Sequence, residues 1–245
     1  MNRRVFAVEL LDELRGIVRE PTALLFSVLM PVGLFAMFVG IFGRDASGGL
    51  SGGTSMLATF GTYGVIVVTM MNPGIGVAQD RERGWLRAKQ VSAVPITLTL
   101  AAKVVAALTY AFGVLAAMAA TAAALGVLDT SAGALVRLGA VLLLGSFPFA
   151  LLGLAVGFQA RAGASAAILN AVLMPAAVLS GLWLPLAILP AFFQQIARFL
   201  PTYHLAELAR AQLAGGEILP HISVLVATTL VAAGLAAVAY RRART

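Results

Sequence analysis

Six long stretches without a charged residue alternate with short charged segments along this chain. They cover residues 21–43, 46–79, 104–128, 138–160, 162–197 and 218–240. A helix needs about 20 apolar residues to cross the hydrocarbon core of a bilayer, so each stretch can cross once. The pattern predicts an all-α integral membrane protein, with one domain over residues 1–245 and six transmembrane helices. The spans are placed at about 22–42, 57–78, 100–126, 136–158, 163–183 and 219–240.

Two of these stretches are longer than a single crossing requires. The second begins with the Gly-, Ser- and Thr-rich segment Ala46–Ser55, which has the composition of a loop. The fifth continues past its span into Pro185, Pro190 and Pro201, and proline interrupts helices. The apolar segment 184–217 is thereby divided into pieces too short to cross, which predicts short re-entrant or extracellular helices in an outer hairpin. Four residues of this hairpin lie at spacings that allow pairing on a helix: Tyr203, His204, Glu207 and Arg210.

Residues 3–19 show a helical period instead of a continuous apolar run. At about 100° per residue, their apolar side chains fall on one stripe and their charged side chains on the other face. The stripe consists of Phe6, Ala7, Leu10, Leu11, Leu14, Ile17 and Val18. Pro21 should separate this segment from the first span, because the residue before a proline disfavours helix. The pattern predicts an amphipathic interfacial helix on the cytoplasmic leaflet; a flexible charged tail is the alternative.

The composition excludes a soluble fold. Hydrophobic residues make up 60% of the chain and charged residues 11%, whereas soluble domains contain about 25% charged residues. A soluble protein of this length could not hide so much apolar surface from water. The net charge of +7 is therefore expected to orient the chain in the membrane and to contact lipid headgroups, and no nucleic acid is expected as a partner. The absence of cysteine excludes disulfides and thiolate metal sites.

Basic residues lie mostly on one side of the predicted membrane. Six spans put both termini on the same side, together with the segment 79–103 and Arg161. This side carries 13 of the 17 Lys and Arg residues, and the other side carries 4. Because basic loops face the cytoplasm, both termini are predicted to be cytoplasmic. The Ala- and Arg-rich composition favours the plasma membrane of a bacterium.

The largest cytoplasmic connection is the loop 79–96, QDRERGWLRAKQVSAVPI. It mixes charged residues with Trp85, Leu86 and Val91. An exposed aromatic residue beside arginines is typical of an anchor for another protein. The alternative is a short solvated turn whose tryptophan lies among lipid headgroups.

Three segments resemble ABC-2 type permeases in their order and spacing. The run Asp80–Arg87, followed by Pro95, is similar to the loop between the second and third spans of that family. The proline-rich stretch from Ser180 to His204 resembles the connection between the fifth and sixth spans. The N-terminal helix and Met30-Pro31 resemble the opening of the family. Trp85 departs from the small residue that is common at its position, which bears on subfamily and substrate.

The resemblance implies a complex of several subunits. Two permease chains, identical rather than different, would form a dimer, and two copies of a cytoplasmic ATPase subunit would bind ATP and magnesium, so that this chain holds no cofactor. Residues 3–19 would be the elbow helix, and the hairpin 184–217 would cap the exit. The loop 79–96 would contain a coupling helix that sits in the ATPase. Its coupling residues would be Asp80, Glu82, Arg83, Gly84, Trp85, Leu86 and Arg87.

The sequence lacks motifs for ATP binding or catalysis. Neither lysine belongs to a P-loop, and His204 and His221 lie 17 residues apart with no HExxH motif. No carboxylate falls inside a predicted span, although ion-driven carriers usually place ionisable groups there. We therefore expect a transporter subunit that is not itself an enzyme and receives its energy from another protein. A secondary transporter or channel, and a membrane-embedded enzyme, are the alternatives.

Few polar residues lie within the predicted spans. Candidates for a translocation route are Asn72, Phe147, Asn170 and Met174. The asparagines could instead hydrogen-bond between helices, and the apolar residues could face lipid. An interior that contains Met and Phe would suit an amphipathic cargo such as a drug, an antibiotic or a lipid-like molecule. The expected function is outward movement of such a cargo.

Overall fold

The computed structural model describes residues 3–19, 21–43, 46–47, 50–85, 88 and 95–244. Most residues of these segments are helical, which confirms the all-α prediction. The helices are α1 (Arg3–Arg19), α2 (Pro21–Phe42), α3 (Gly52–Glu82), α4 (Ile96–Ala124), α5 (Ala132–Gly145), α6 (Phe147–Gln159), α7 (Ala162–Leu179), α8 (Ala191–Ala197), α9 (Pro201–Ala214) and α10 (Leu219–Arg244). A 3-10 turn covers Leu186–Ile188, and two short strands, β1 (Ala46–Ser47) and β2 (Leu50–Ser51), pair antiparallel.

Five helical segments in the described ranges are long and apolar enough to cross a membrane. They are α3, α4, the α5–α6 pair over Ala132–Gln159, α7, and Leu219–Ala243 of α10. The chain is therefore a multi-pass membrane protein, as its composition predicts. Helix α2 has 22 residues, but among the residues whose side chains are described its apolar stretch is Val28–Phe42, which is shorter than a full crossing. The first predicted span, at residues 22–42, would be the sixth crossing and stays a prediction.

The segment Ala46–Ser55 is only partly the loop that its composition predicts. Strands β1 and β2 form its first part, and α3 begins at Gly52, so the prediction is wrong for residues 52–55. The Ser51 hydroxyl caps α3 by accepting a hydrogen bond from the Thr54 N–H at 3.3 Å. Thr54 Oγ1 in turn accepts from the Asp129 N–H at 2.9 Å. These bonds satisfy backbone groups of the first helical turn and fix it to the α4–α5 connection.

The span predicted at 136–158 consists of two helices. The chain leaves α5 at Ser146, and α6 starts at once with Phe147 and Pro148. Proline lacks an N–H donor and is tolerated in the first turn of a helix, so a new helix begins there more easily than the old one continues. The buried Ser146 hydroxyl donates to the Leu143 carbonyl at 2.8 Å, which stabilises the break.

Helix α3 is the centre of the bundle. In the apolar segment of α3 that could cross the membrane, 78% of the residues are buried, whereas the share is 22% in the corresponding segments of α7 and α10. It packs against α2, α4, α6, α7 and α9, and the buried side chains Phe60, Ile66 and Val77 belong to it. Helices α7 and α10 therefore expose apolar faces to lipid or to another chain, whereas α3 is surrounded by its own chain.

Helices α3 and α6 touch backbone to backbone. A Cβ atom built on Gly74 would lie 2.7 Å from the Gly153 carbonyl oxygen. A Cβ atom on Gly153 or Gly157 would overlap the carbonyl oxygens of Met70 and Gly74, respectively. Small residues let helices approach this closely in a membrane, where packing and not the hydrophobic effect drives association.

Helix α1 has two unlike sides. One side packs against α4 and, more weakly, α2. The apolar side chains Val8, Leu11 and Val18 are exposed in the single chain. An exposed apolar stripe on a helix that flanks a membrane bundle fits contact with lipid.

Candidate functional site

Three helices meet at one buried ammonium group near the ends of α3 and α4. Lys103 of α4 is 6% exposed, and its Nζ atom lies 2.7 Å from Glu13 Oε1 of α1 and 2.8 Å from Asp80 Oδ2 of α3. Both carboxylates remain partly exposed. The ion pairs satisfy an ammonium that would otherwise be very costly to bury. They also fix α1 across the ends of the two helices that flank the loop 79–96.

By sequence, Lys103 counts among the basic residues of the cytoplasmic segment 79–103, and its pairing with Glu13 and Asp80 is missed. In the structure α4 begins at Ile96, so Lys103 lies about two turns inside the helix. One signal could have found it. Lys103 is the single charged residue between Lys89 and Asp129, and an isolated charge in an apolar segment needs a partner.

The two residues after Asp80 bind the connection between α6 and α7. Arg81 Nη2 donates to the Ala160 carbonyl at 3.0 Å. Glu82 Oε1 accepts from the Ala162 N–H at 3.1 Å, at the first residue of α7. A carboxylate at a helix N-terminus satisfies a free N–H group and interacts favourably with the helix dipole. Helix α3 therefore contacts three different partners with three consecutive side chains.

The seven predicted coupling residues are thereby divided. Asp80 and Glu82 bind their own chain, although Glu82 is exposed, and Arg83, Gly84 and Trp85 are also exposed. Leu86 and Arg87 lie outside the described residues. Gly84 has a φ of +75°, which favours glycine and reverses the chain after α3. The Ala88 N–H donates to the Gly84 carbonyl at 3.1 Å, as in a helical turn, and Trp85 on this turn is 57% exposed.

A further contact joins α10 to the same end of the bundle. Gln159 Nε2 at the end of α6 donates to the Ala239 carbonyl of α10 at 2.7 Å. The rings of Phe158 and Tyr240 pack beside it with centroids 5.3 Å apart. Helices α1, α3, α4, α6, α7 and α10 are therefore linked by polar or aromatic contacts near one end of the bundle, which we call the linked end.

The four route candidates lie on three helices. Asn72 on α3 and Met174 on α7 are partly buried, and Phe147 at the start of α6 is exposed. Asn170 is exposed on α7, and its side chain donates to the Ala166 carbonyl at 3.1 Å within the same helix. Asn170 therefore lies on a face that a single chain leaves uncovered. Their role in transport stays a prediction.

The four hairpin residues lie together on α9. Arg210 Nη1 donates to Glu207 Oε1 at 2.6 Å, the pairing that their spacing allows. His204 Nδ1 lies 2.9 Å from His221 Nδ1 of α10, a contact that the sequence reading missed because the residues are distant in the chain. The ring of Tyr203 packs edge-on against His204. Burial, with a smaller contribution from Glu207, raises the pKa of the Tyr203 hydroxyl. In the described part of the chain no three His, Cys, Asp or Glu residues are placed to hold a metal ion.

Comparison with known proteins identifies the family. The sequence profile described as ABC-2 type transporter matches residues 5–213, most of the chain. The chain belongs to the ABC-2 type transporter family. It is also similar to the protein named "Putative transport permease YvfS" of Bacillus subtilis (strain 168), with 23% identity over 205 residues that cover 84% of each chain.

Membership of the ABC-2 type transporter family confirms the resemblance drawn from the charged loop and the proline-rich hairpin. Permeases of this family generally work with an ABC ATPase subunit. The chain is thus a membrane permease subunit, and the linked end carries the motif that first indicated the family. The exposed turn at Trp85 is part of that motif.

Proposed function

We propose that this chain is the transmembrane subunit of an ATP-driven exporter that moves an amphipathic drug, antibiotic or lipid-like molecule out of the cell. ATP and magnesium bind to a separate cytoplasmic ATPase, and two permease chains, identical to each other, pair with two ATPase copies. The observation that carries the proposal is the exposed Trp85, on a turn that continues directly from three side chains bound to the permease core.

The contacts of residues 80–82 define how movement of the loop would reach the bundle. Asp80 binds Lys103 of α4, Arg81 binds the end of α6, and Glu82 binds the start of α7. All three extend from α3, the most buried span. A displacement applied at Trp85 therefore acts on the end of α3 and on its neighbours together, because short hydrogen bonds and ion pairs do not stretch appreciably.

The same contacts favour a docking role for the residues after Glu82. A side chain that already pairs within the permease has less to offer a partner protein. Trp85 exposes an indole, the type of side chain that dominates interface energetics when it enters a pocket. Arg83 beside it can pair with acidic groups at the rim of such a pocket, where each exposed ion pair contributes about 0–1 kcal/mol.

Replacing Trp85 with alanine should weaken ATPase binding by tens-fold. Truncation of an interface anchor costs about 2 kcal/mol or more, and each 1.4 kcal/mol corresponds to about tenfold in affinity. The permease in nanodiscs is titrated with its purified ATPase, and the dissociation constant and ATP hydrolysis are measured. Phe199→Ala is the matched control, because Phe199 is an 83% exposed aromatic residue in the hairpin.

The control should bind the ATPase like the unmodified chain, and both variants should fold, since neither side chain is buried. If Trp85→Ala binds the ATPase and stimulates hydrolysis as well as Phe199→Ala does, the turn is a simple linker and the docking assignment is wrong.

The orientation of the chain can be tested at the same two positions. The chain contains no cysteine, so Trp85→Cys and Phe199→Cys each introduce one thiol at an exposed site. A maleimide that cannot cross membranes should label position 199 in intact cells and position 85 only after permeabilisation, because the basic side is expected to face the cytoplasm. Labelling of position 85 from outside would reverse the proposed topology.

The Lys103 cluster offers a second reading, since an ion-driven carrier could use buried charges in a span. Its position beside the loop 79–96 favours a mechanical role. Uptake of a fluorescent amphipathic dye into inverted vesicles separates the two readings. Export driven by ATP should continue when the proton gradient is collapsed, whereas a secondary transporter should stop.

A further inference from the structure

The two histidines of the chain form a hydrogen-bonded pair at the hairpin. His204 Nδ1 and His221 Nδ1 lie 2.9 Å apart, and His204 Nε2 lies 2.8 Å from the Arg198 carbonyl oxygen. Arg198 is the residue that ends α8, His204 lies in the first turn of α9, and His221 lies in the first turn of α10. The pair thus joins three helices that the chain connects only through short loops.

The geometry assigns the protons. A carbonyl oxygen can only accept, so His204 must carry its proton on Nε2 and donate it to Arg198. A neutral His204 then presents a lone pair on Nδ1, and His221 must donate its own Nδ1–H to that lone pair. Neutral His221 therefore has a lone pair on Nε2, the first place where an additional proton can bind.

We propose that His204 and His221 form a proton-binding site that joins α9 to α10. The hydrogen bond between the two rings is kept when the site holds no additional proton or one additional proton. It is lost when the site holds two, and the two helices are then released from each other. The first proton goes to His221 Nε2 and leaves the Nδ1–H···Nδ1 bond in place, with a charged and therefore stronger donor. The second must go to His204 Nδ1. Two N–H groups then face each other, the hydrogen bond is lost, and two positive charges lie in contact.

Charged and titratable groups lie on the helices that pack around α9 and the pair. Glu207 on α9, which is paired with Arg210, and Glu217 before α10 are the acidic groups that act on His221. Helix α8 ends at the exposed Arg198, and Tyr203 packs against both imidazole rings. Of the other helices packed on α9, α3 contributes Tyr63, whose ring contacts Trp183, and α5 contributes the exposed Arg137.

Release would loosen the segment that is proposed to cap the exit. Helix α9 packs on α3, α5 and α10, and the pair is its polar link to α10. Which side of the membrane supplies the protons rests on the proposed function and topology. Proton binding itself depends only on the geometry described above, so it can fail or hold independently of ATP-driven export.

The two histidines allow a direct measurement by nitrogen-15 NMR. The full chain, labelled on histidine, placed in nanodiscs and purified without a histidine tag, contains only these two imidazoles. A scalar coupling between the two Nδ1 nuclei should be present near neutral pH and should disappear as the pH falls through and below the range in which histidine changes charge, once both rings are charged. Amide exchange of α9 should then become about fivefold faster, the equivalent of one lost hydrogen bond.

His221→Gln is the comparison variant, because His221 is the more exposed partner and glutamine cannot take up a proton in this range. It should leave one imidazole that binds a single proton, and exchange of α9 should no longer respond to pH. The proposal is overturned if the two rings titrate independently with no coupling at any pH. It is equally overturned if α9 exchange in the unmodified chain stays constant while both rings become charged.

Discussion

Replacing Gly157 with alanine should prevent normal packing of α3 on α6 and strongly reduce the yield of folded protein. The added methyl group would overlap the Gly74 carbonyl oxygen and crowd Val77, which is fully buried. The obstacle is backbone on the opposite helix, so no side chain can rotate away, and the helices must separate. Overpacking of a tight contact costs about 1–3 kcal/mol and occasionally more, and separation also removes the close backbone contacts of Gly74 and Gly153.

Gly139→Ala is the matched control for this prediction. Gly139 lies on α5, in the other half of the same predicted span, and a Cβ atom there would meet nothing within 4 Å. Alanine should stabilise that helix by up to about 1 kcal/mol. Thermal unfolding in detergent, followed by tryptophan fluorescence, compares the two variants. Equal midpoints for Gly157→Ala and Gly139→Ala would mean that α3 and α6 do not touch as described.

Replacing Lys103 with methionine should destabilise the permease by about 3–5 kcal/mol, the usual cost of removing one partner of a buried ion pair. The change keeps the length of the side chain but leaves Glu13 and Asp80 facing each other without the ammonium between them. Helix α1 should detach from α4, so that limited proteolysis cuts the N-terminal segment sooner. The unfolding midpoint in detergent provides the second measurement.

Two further variants separate the loss of a pair from the loss of a charge. Lys103→Met combined with Glu13→Gln and Asp80→Asn should recover much of the stability, because neutral amides no longer repel each other. Arg83→Met removes a positive charge from an exposed neighbour and should change stability by no more than about 0.5 kcal/mol. A Lys103→Met protein as stable as Arg83→Met would show that the cluster does not hold α1.

Much of the helical layout follows from the sequence because the lipid bilayer acts on each apolar segment separately. A run of uncharged residues is stable in a bilayer as a helix whatever its neighbours are. The amphipathic period of residues 3–19 likewise places a helix at α1, where the structure has it. The loop prediction is wrong for residues 52–55, because the Ser51 cap starts α3 earlier than the composition indicates. The break at Ser146 lies within a predicted span and arises from the proline in the first turn of α6.

The motif at the end of α3 shows where sequence reasoning stops. The run Asp80–Arg87 correctly indicated the family, and its charges were assigned to contacts with an ATPase. In the structure α3 continues through Glu82, so successive side chains point about 100° apart and meet three different neighbours. The position at which a helix ends decides whether a charged residue faces a partner protein or its own bundle. That position depends on the contacts that the last turn of the helix makes in the folded protein.

The sequence by itself determined that this protein lies in a membrane, the approximate number and place of its membrane helices, the expected side of its basic loops and its family. Only the tertiary structure decided which distant groups pair: Glu13 with Lys103 across 90 positions, Arg81 with the Ala160 carbonyl across 79, and His204 with His221 across 17. Hydropathy is a property of a segment and can be read locally. A hydrogen bond of 3 Å depends on how far each helix is rotated and shifted against its neighbours, and close contacts such as that of Gly74 with Gly153 set those rotations.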